Sequence, residues 1–238
     1  MKRLLIFAIL ASTAALAQDQ PKQPERTQKL VTLRYADPVT VNALLQRFPV
    51  GISITSSSRT ITLFGTPAGI TAAEEAIKQL DVQPKNVELT VYFVVGSDQN
   101  QPTGAPPIPQ DVESVVAQLR KTFAFKEYRM LDALTLRTRS GVGAETSGVL
   151  DRPGTVPRLT QFRIRAANVS EDGTAVRIDG LKAGLKIPTQ GKDGTQYIDT
   201  GLNTDVDVKV GQKVVVGKSS LAGPDTALFL ILSAQVIN

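Results

Sequence analysis

The sequence predicts an α+β protein: a small domain that mixes helices and strands, then a β-rich, mainly antiparallel domain entered by one helix. Runs of alternating apolar and polar residues, typical of half-buried strands, occur along much of the chain. Apolar residues at helical spacing are found at 38–48, 67–80 and 112–123. The length of 238 residues allows two domains, and a hydrophobic content of 42% is ordinary for a globular protein.

The first residues have the three parts of a secretory signal peptide, predicted at 1–17. A charged start, Lys2-Arg3, precedes an apolar core, and Ala15 and Ala17 are the small residues of the cleavage site. The apolar stretch is too short to span a bilayer core of about 30 Å, although an uncleaved membrane anchor is the alternative. We expect an exported protein in which the hydrophilic residues 18–28 form a disordered lead-in.

Residues 29–95 predict one small domain with the order strand, helix, strand, strand, helix, strand. Strict alternation places the first strand at 30–35, a polar turn makes 52–64 a hairpin, and the last strand is 87–95. A domain of about 65 residues lies near the lower limit for independent folding. The inner face of the last strand comprises Val87, Leu89, Val91, Phe93 and Val95.

Each predicted helix of this domain begins with a capping side chain followed by a proline, at Asp37-Pro38 and Thr66-Pro67. The missing N–H of proline costs nothing at the first helical position, so this pair is a good start signal. The predicted buried faces comprise Val41, Leu44, Leu45 and Phe48 in the first helix, and Ile70, Ala73, Ile77 and Leu80 in the second.

The outer face of the strand at 87–95 carries Tyr92 and Val94, which is more apolar than a solvated strand requires. We therefore predict that both side chains are covered. Either a neighbouring subunit covers them, which would make them interface residues, or the helix at 112–123 folds back over them within the chain.

A Pro-rich linker is predicted at 96–110, and a β-rich domain at 111–238. Asp172-Gly173 is a hairpin turn signal, and the segment 140–157, rich in Gly, Thr and Ser, predicts a mobile loop. The strand at 227–232 lacks alternation and should be buried on both faces. The predicted strands of this domain are 128–139, 159–169, 175–179, 184–188, 206–210, 213–217 and 226–237.

Two parts of the chain resemble bacterial secretins, which form ring-shaped outer-membrane channels. The runs Leu-Val-Thr-Leu-Arg-Tyr-Ala-Asp at 30–37 and Ala-Glu-Glu-Ala-Ile-Lys-Gln-Leu-Asp at 73–81 are similar to their short N-terminal repeat, the NolW-like domain. The run Gly-Gln-Lys-Val-Val-Val-Gly at 211–217, followed by the apolar strand 227–232, resembles the last part of a secretin core. The core segment expected between these two strands is missing, so the resemblance is to a truncated core.

The resemblance implies a non-enzymatic cell-envelope protein that acts by protein–protein contacts in protein secretion or pilus-type assembly. It implies self-association or binding to other secretion or pilus subunits, and a place in the periplasm or at the outer-membrane periphery, with outer-membrane association. Neither a cofactor nor a small-molecule substrate is expected from it.

Composition restricts the chemistry independently of any resemblance. Cysteine and histidine are both absent, which removes thiolate ligands, disulfides, the usual general base and the commonest transition-metal ligand. The sequence contains neither a Gly-x-Ser-x-Gly nucleophile elbow nor a pair of carboxylates in a recognisable motif, so we predict no catalytic residues. A Ser–Lys hydrolase remains an alternative. The balance of 27 Lys and Arg against 22 Asp and Glu is mildly basic and demands no nucleic-acid partner.

An alternative function comes from five arginines at alternating positions of successive predicted strands, which would place them on one sheet face. Such a face could bind an anionic lipid or glycan surface, and the protein would then be an exported binding module; the plainer interpretation is a solvated face. The set comprises Arg137, Arg139, Arg163, Arg165 and Arg177.

Three further motifs favour a structural interpretation. Gly217-Lys218-Ser219 lacks the spacing and the following helix of a phosphate-binding loop, and 65–69 has one residue too many for a KH-type Gly-x-x-Gly clamp. Asn203, Asp205 and Asp207 alternate and could present three oxygens to a cation, but calcium takes six to eight, so a solvated strand edge is the favoured interpretation and no metal is predicted.

Overall fold

A computed structural model describes residues 25–55, 58–99, 107–150, 156–191, 194–221 and 225–237. The chain forms two compact units, with the boundary between Gln83 and Pro84. The predicted signal peptide, including Ala15 and Ala17, lies outside the described residues, as does most of the predicted lead-in.

The first unit is a three-stranded antiparallel sheet with two helices. Its elements in chain order are β1 (Thr27–Thr32), α1 (Pro38–Leu45), β2 (Val50–Ile54), β3 (Thr60–Gly65) and α2 (Pro67–Leu80). The strand order is β1-β3-β2. One face of the sheet and the two helices enclose a core of Leu33, Val41, Leu45, Ile61, Leu63, Ile70, Ala73 and Ile77.

Both helices begin where the sequence predicts. The Asp37 carboxylate accepts a hydrogen bond from the Thr40 N–H at 2.9 Å, and the Thr66 hydroxyl accepts one from the Gly69 N–H at 3.3 Å. The end of α1 differs from the prediction, because the helix stops at Leu45 and Leu44 is 51% exposed. Pro49 disfavours helical backbone at the residue before it, so Phe48 lies in a turn rather than on the helix.

The second unit contains two antiparallel sheets and one helix. The first sheet has four strands in the order β11-β12-β4-β5. These strands are β4 (Asn86–Ser97), β5 (Glu127–Arg139), β11 (Lys213–Ser220) and β12 (Thr226–Ile237). The helix of this unit, α3 (Gln110–Thr122), packs on the outer face of that sheet.

The second sheet of this unit has five strands. They are β6 (Ala144–Leu150), β7 (Arg158–Ile164), β8 (Ala166–Val169), β9 (Ala175–Gly191) and β10 (Gly194–Lys209). Four follow the order β10-β9-β7-β6, and β8 pairs with β9. A hairpin turn joins β8 to β9, with Gly173 at φ +74° as the Asp-Gly signal predicts.

The two sheets pack face to face around one apolar core to which both contribute. Residues 227–232 of β12 are at most 3% exposed, which confirms the prediction that this strand is buried on both faces. One face of β12 contacts the core between the sheets, and the other lies beneath α3. A strand covered on both sides needs apolar residues at every position, which explains the missing alternation.

The elements follow the predicted order along the chain, but the strand at 87–95 belongs to the second unit, so the prediction of one βαββαβ domain is not confirmed. β4 pairs with β12 from Asn86 to Ser97 and with β5 on its other edge, whereas the first unit ends after α2. The inward residues of β4 are buried and its outward residues are buried or half-buried, as expected for a strand at the centre of a layered unit. The three-stranded sheet of the first unit offers a core on one face only.

Two other predictions are corrected by strand pairing. Residues 144–150 of the predicted loop form β6, which pairs with β7 along its whole length; 151–155 lie outside the described residues. The short strands predicted at 175–179 and 184–188 form one 17-residue strand, β9, which pairs with β10. Backbone hydrogen bonds in a sheet need no apolar pattern, so Gly-, Thr- and Ser-rich segments can pair when a neighbouring strand is in place.

Candidate functional site

The residues with the clearest positional role surround the contact between α3 and the four-stranded sheet. Val94 is fully buried there, in a cluster that includes Val112, Val116 and Phe229. The helix carries acidic residues in its first turn and basic residues in its last, which complements the helix dipole. The cover within the chain, one of the two alternatives predicted for this strand face, therefore describes the structure.

Polar contacts hold the start of α3 against the sheet. The Tyr92 hydroxyl donates to Asp111 Oδ2 at 2.8 Å, and Lys213 Nζ lies 3.4 Å from the same oxygen. Burial, followed by the hydrogen bond to the Asp111 carboxylate, raises the pKa of Tyr92 to about 12, while the Ser233 hydroxyl opposes this shift. Tyr92 therefore stays protonated and remains a hydrogen-bond donor throughout the physiological pH range.

This packing changes the interpretation of Tyr92 and Val94 as interface residues. Val94 has no exposed surface, and the Tyr92 hydroxyl is already bonded to Asp111 within the chain. A neighbouring subunit could contact Val94 only after α3 had moved away. The surfaces available for association must therefore lie elsewhere in the protein.

The five predicted arginines do not share one face, which corrects that part of the alternative function. Leu134 and Leu136 on β5 point into the core between the sheets, so Arg137 lies on the outer face of the four-stranded sheet. Phe162 on β7 points into the same core from the opposite side, which places Arg163 on the outer face of the other sheet. Alternation along a strand fixes the face only relative to that strand's own sheet.

Three of these arginines also form ion pairs with carboxylates of their own sheet. Arg137 lies 2.6 Å from Glu88, Arg177 lies 3.0 Å from Asp179, and Arg163 lies 3.8 Å from Glu145. Arg139, at the end of β5, and Arg165, between β7 and β8, are exposed and form no ion pair with any described residue. The structure thus contains two separate basic positions rather than a continuous basic surface.

The alternating oxygens of 203–207 do not converge on one point. A β-bulge between Thr204 and Val206 breaks the alternation, and Asp205 Oδ1 accepts the Gly180 N–H at 2.6 Å. Asp207 lies opposite Arg177 in the ladder, and Asn203 faces a small pocket described below. In the part of the chain that the structure describes, no three acidic side chains are grouped to hold a metal ion.

The two glycine-containing motifs have structural roles. Gly217 and Lys218 lie inside β11, where the Lys218 ammonium sits 5.1 Å from the centre of the Phe123 ring. Residues 65–69 join β3 to α2, with Thr66 as the helix cap. Neither segment has the backbone geometry of a phosphate or nucleic-acid clamp, since the first is a strand and the second connects a strand to a helix.

A polar clamp that was not predicted from the sequence surrounds the connection from β1 to α1. The Asp81 carboxylate, at the end of α2, accepts the backbone N–H groups of Arg34, Tyr35 and Ala36 at 2.7–2.8 Å. From the other side, the Arg59 guanidinium donates to the carbonyl oxygens of Arg34 and Tyr35 at 2.6 and 3.3 Å. The Leu80-Asp81 pair belongs to the secretin resemblance, but no local pattern indicates the partners of Asp81.

Replacing Asp81 by Asn should lower the free energy of unfolding of the first unit by about 2 kcal/mol, because an amide nitrogen would face N–H groups that need an acceptor. Burial alone would raise the pKa of Asp81, yet the three backbone hydrogen bonds hold it below the ordinary 3.8. Its contribution is therefore present above that value and is lost as the pH falls through the lowered pKa.

Hydrogen exchange of the β3 amides at neutral and acidic pH would measure this effect in the first unit alone. Glu75→Gln removes the same charge from an exposed position of α2 and serves as the control. Equal protection in both variants at neutral pH would contradict the clamp. So would an acid dependence in Asp81→Asn identical to that of the unchanged protein.

Comparison with known proteins relates this fold to one class of structure. No family model matches the sequence, and no curated protein matches it. Among solved structures, the chain is similar to the type II secretin of enteropathogenic Escherichia coli, with a TM-score of 0.59 and 12% identity over 89% of this chain and 87% of that one.

Two secretins from other systems are similar to the same extent. The type IV competence pilus secretin of V. cholerae matches with a TM-score of 0.57 and 12% identity, covering 90% of this chain and 77% of that chain. The Salmonella type III secretion injectisome secretin matches with a TM-score of 0.55 and 13% identity, covering 90% and 89%. The protein therefore has a secretin-like fold. No helix among the described residues is long and apolar enough to cross a membrane.

Proposed function

We propose that the protein is a non-enzymatic, secretin-like component of the cell envelope that acts by protein–protein contacts in protein secretion or pilus-type assembly. The observation that carries this proposal is the extent of the structural likeness, about nine-tenths of this chain in each of the three secretins. The three are a type II secretin, a type III secretion injectisome secretin and a type IV competence pilus secretin. The likeness therefore supports the general role without favouring one pathway. The N-terminal unit would be the NolW-like repeat, and the place of action the periplasm or the outer-membrane periphery.

Self-association is the central expectation of this proposal. Because α3 covers the outer face of β4, the edges of the sheets are better candidates for contact than Tyr92 and Val94. β6 is an edge strand of the five-stranded sheet, and its Val149 is 64% exposed. An exposed edge presents unpaired backbone groups that another chain can bind.

Light scattering and negative-stain electron microscopy of the full chain test the proposal. We expect particles of several subunits at micromolar concentration, and Val149→Lys should shift them toward monomer because an edge charge opposes strand addition. Val142→Lys places the same charge at an exposed position outside the strands and serves as the control.

A protein that stays monomeric by both methods would contradict the proposal. Salt-sensitive retention of that monomer on anionic lipid vesicles would favour the alternative, an exported module that binds an anionic lipid or glycan surface. Turnover of ester or glycan substrates would instead favour a hydrolase.

A further inference from the structure

A small pocket opens on the outer face of the five-stranded sheet, where two glycines lie opposite each other on β9 and β10. Gly184 and Gly201 are partners in the ladder, and the two backbones approach so closely that a Cβ on either would overlap the other strand. Ala183 and Leu185 point into the core, so Gly184 occupies an outer-face position, where its backbone is buried while that of Gly201 is exposed. The outer layer of the sheet therefore has no side chain at either position.

An ion pair extends along the outer face beside this glycine pair. Lys182 lies opposite Asn203, so Asp199 is four residues farther along β10, about 13 Å away in a straight strand. Nevertheless Lys182 Nζ and Asp199 Oδ2 are 3.2 Å apart. The long side chain of Lys182 therefore extends along the outer face toward Asp199, and the cavity there has a volume of about 170 Å³.

Of the five polar residues that line the pocket, Thr200 donates to the Ser220 carbonyl at 3.1 Å, and the other four together present both donors and acceptors. Lys182 offers only donors, Asp199 only acceptors, and the amides of Gln161 and Asn203 offer both. The Gln161 NH₂ group is bonded to Glu145 at 3.1 Å, whereas the Asn203 amide has no hydrogen-bond partner among the described residues. The remaining lining includes the two glycines, of which Gly201 is exposed and Gly184 is buried.

The size of the cavity restricts its occupant to one ring of a longer molecule. Sites that bury a whole drug-sized ligand enclose about 300–1,000 Å³, well above this volume. Tyr197 extends the surface, because it lies two residues from Asp199 on the same strand face and is 42% exposed. Its ring offers a flat apolar surface beside the pocket on which a neighbouring ring could lie.

The chemistry of the lining distinguishes between classes of occupant. A charged side chain of a peptide would meet an ammonium and a carboxylate together, so attraction to one would be offset by repulsion from the other. An apolar side chain would cover these polar groups without pairing them. Sugar hydroxyls both donate and accept, so a single sugar unit can satisfy all four side chains.

We propose that this pocket binds one sugar unit of an uncharged polysaccharide, with the adjacent unit on Tyr197. The site is independent of the secretin-like role, since it would hold a glycan whether or not the protein associates with itself. Its ligand class also differs from the anionic surface considered for the arginines.

Titration of the full chain, labelled with ¹⁵N-glycine, tests this site directly. The probes are two uncharged oligosaccharides, chitotetraose and maltotetraose. For at least one of them we expect saturable shifts of the Gly184 and Gly201 amide signals, with a Kd on the order of 1 mM because only one or two rings are bound. Gly96, in the other sheet of the same unit, should not respond.

Two variants make the test specific. Asn203→Leu keeps the size of the side chain but removes its donor and acceptor, and should raise the Kd about fivefold or more. Asn168→Leu makes the same change on β8, outside the pocket, and should leave the Kd unchanged.

Three outcomes would overturn the proposal. The first is the absence of shifts at the two glycines with either sugar, and the second is equal affinity of the Asn203→Leu and Asn168→Leu variants. In the third, the same glycine signals shift with protein concentration alone, which would identify a second copy of the chain as the occupant.

Discussion

Replacing Val94 by lysine is expected to destabilise the second unit by at least about 3 kcal/mol, since an unpaired charge would lie in an apolar cluster. Val94 is fully buried beneath α3, in a cluster of hydrophobic side chains. Release of the helix would expose the lysine to water and relieve this cost. Urea unfolding followed by circular dichroism, together with hydrogen exchange of the α3 amides, would measure both effects.

Val215→Lys is the matched control, because Val215 is 40% exposed on β11 of the same sheet. Its effect on stability should stay within about 0.5 kcal/mol. If Val94→Lys prevented self-association but unfolded at the same urea concentration as the control, the strand face would be an interface between subunits. The helix would then not be its cover in solution.

Replacing Phe229 by alanine should cost the second unit about 3–5 kcal/mol, the range for deleting a buried aromatic side chain. Phe229 is fully buried, and its ring centre lies 5.0 Å from that of Phe123, 6.0 Å from Phe125 and 5.8 Å from Tyr128. Loss of the ring therefore leaves a cavity and removes three aromatic contacts. These contacts connect β12 to the segment that follows α3.

Tyr197→Ala removes an aromatic side chain that is 42% exposed in the same unit, and should cost less than about 1 kcal/mol. If the unfolding free energies of the two variants depend on urea with the same slope, the difference between their urea midpoints gives the difference in their stability. A Phe229→Ala midpoint as mild as that of Tyr197→Ala would show that the aromatic cluster does not contribute to the stability of this unit.

Predictions from the sequence succeeded where the physical signal is local. Asp37 and Thr66 bond to backbone N–H groups three residues away, so the chain next to each residue contains the whole start of the helix. The buried strand at 227–232 was also predictable, because burial on both faces leaves an unbroken apolar run. The turn at Gly173 was also predictable, because it requires a positive φ, which glycine readily adopts.

Strand pairing and the sharing of faces could not be predicted in this way. Alternation shows that β4 is a strand, but not that its neighbours would be β12 and β5, which follow it in the chain. The arginines likewise occupy outward positions of their own strands, yet two different sheets place Arg137 and Arg163 on opposite outer faces. Periodicity describes a strand relative to itself, whereas the face of a sheet exists only after the strands have paired.

By itself the sequence determined the α+β class, the helix starts, the strand with no polar face and the resemblance to secretins. The tertiary structure decided that β4 lies in the second unit, that α3 covers Val94, and that Asp81 and Arg59 close around the connection after β1. It also produced the pocket, since Gly184 and Gly201 become neighbours only when β9 and β10 pair. These features depend on contacts between residues far apart in the chain, which no local pattern of amino acids specifies.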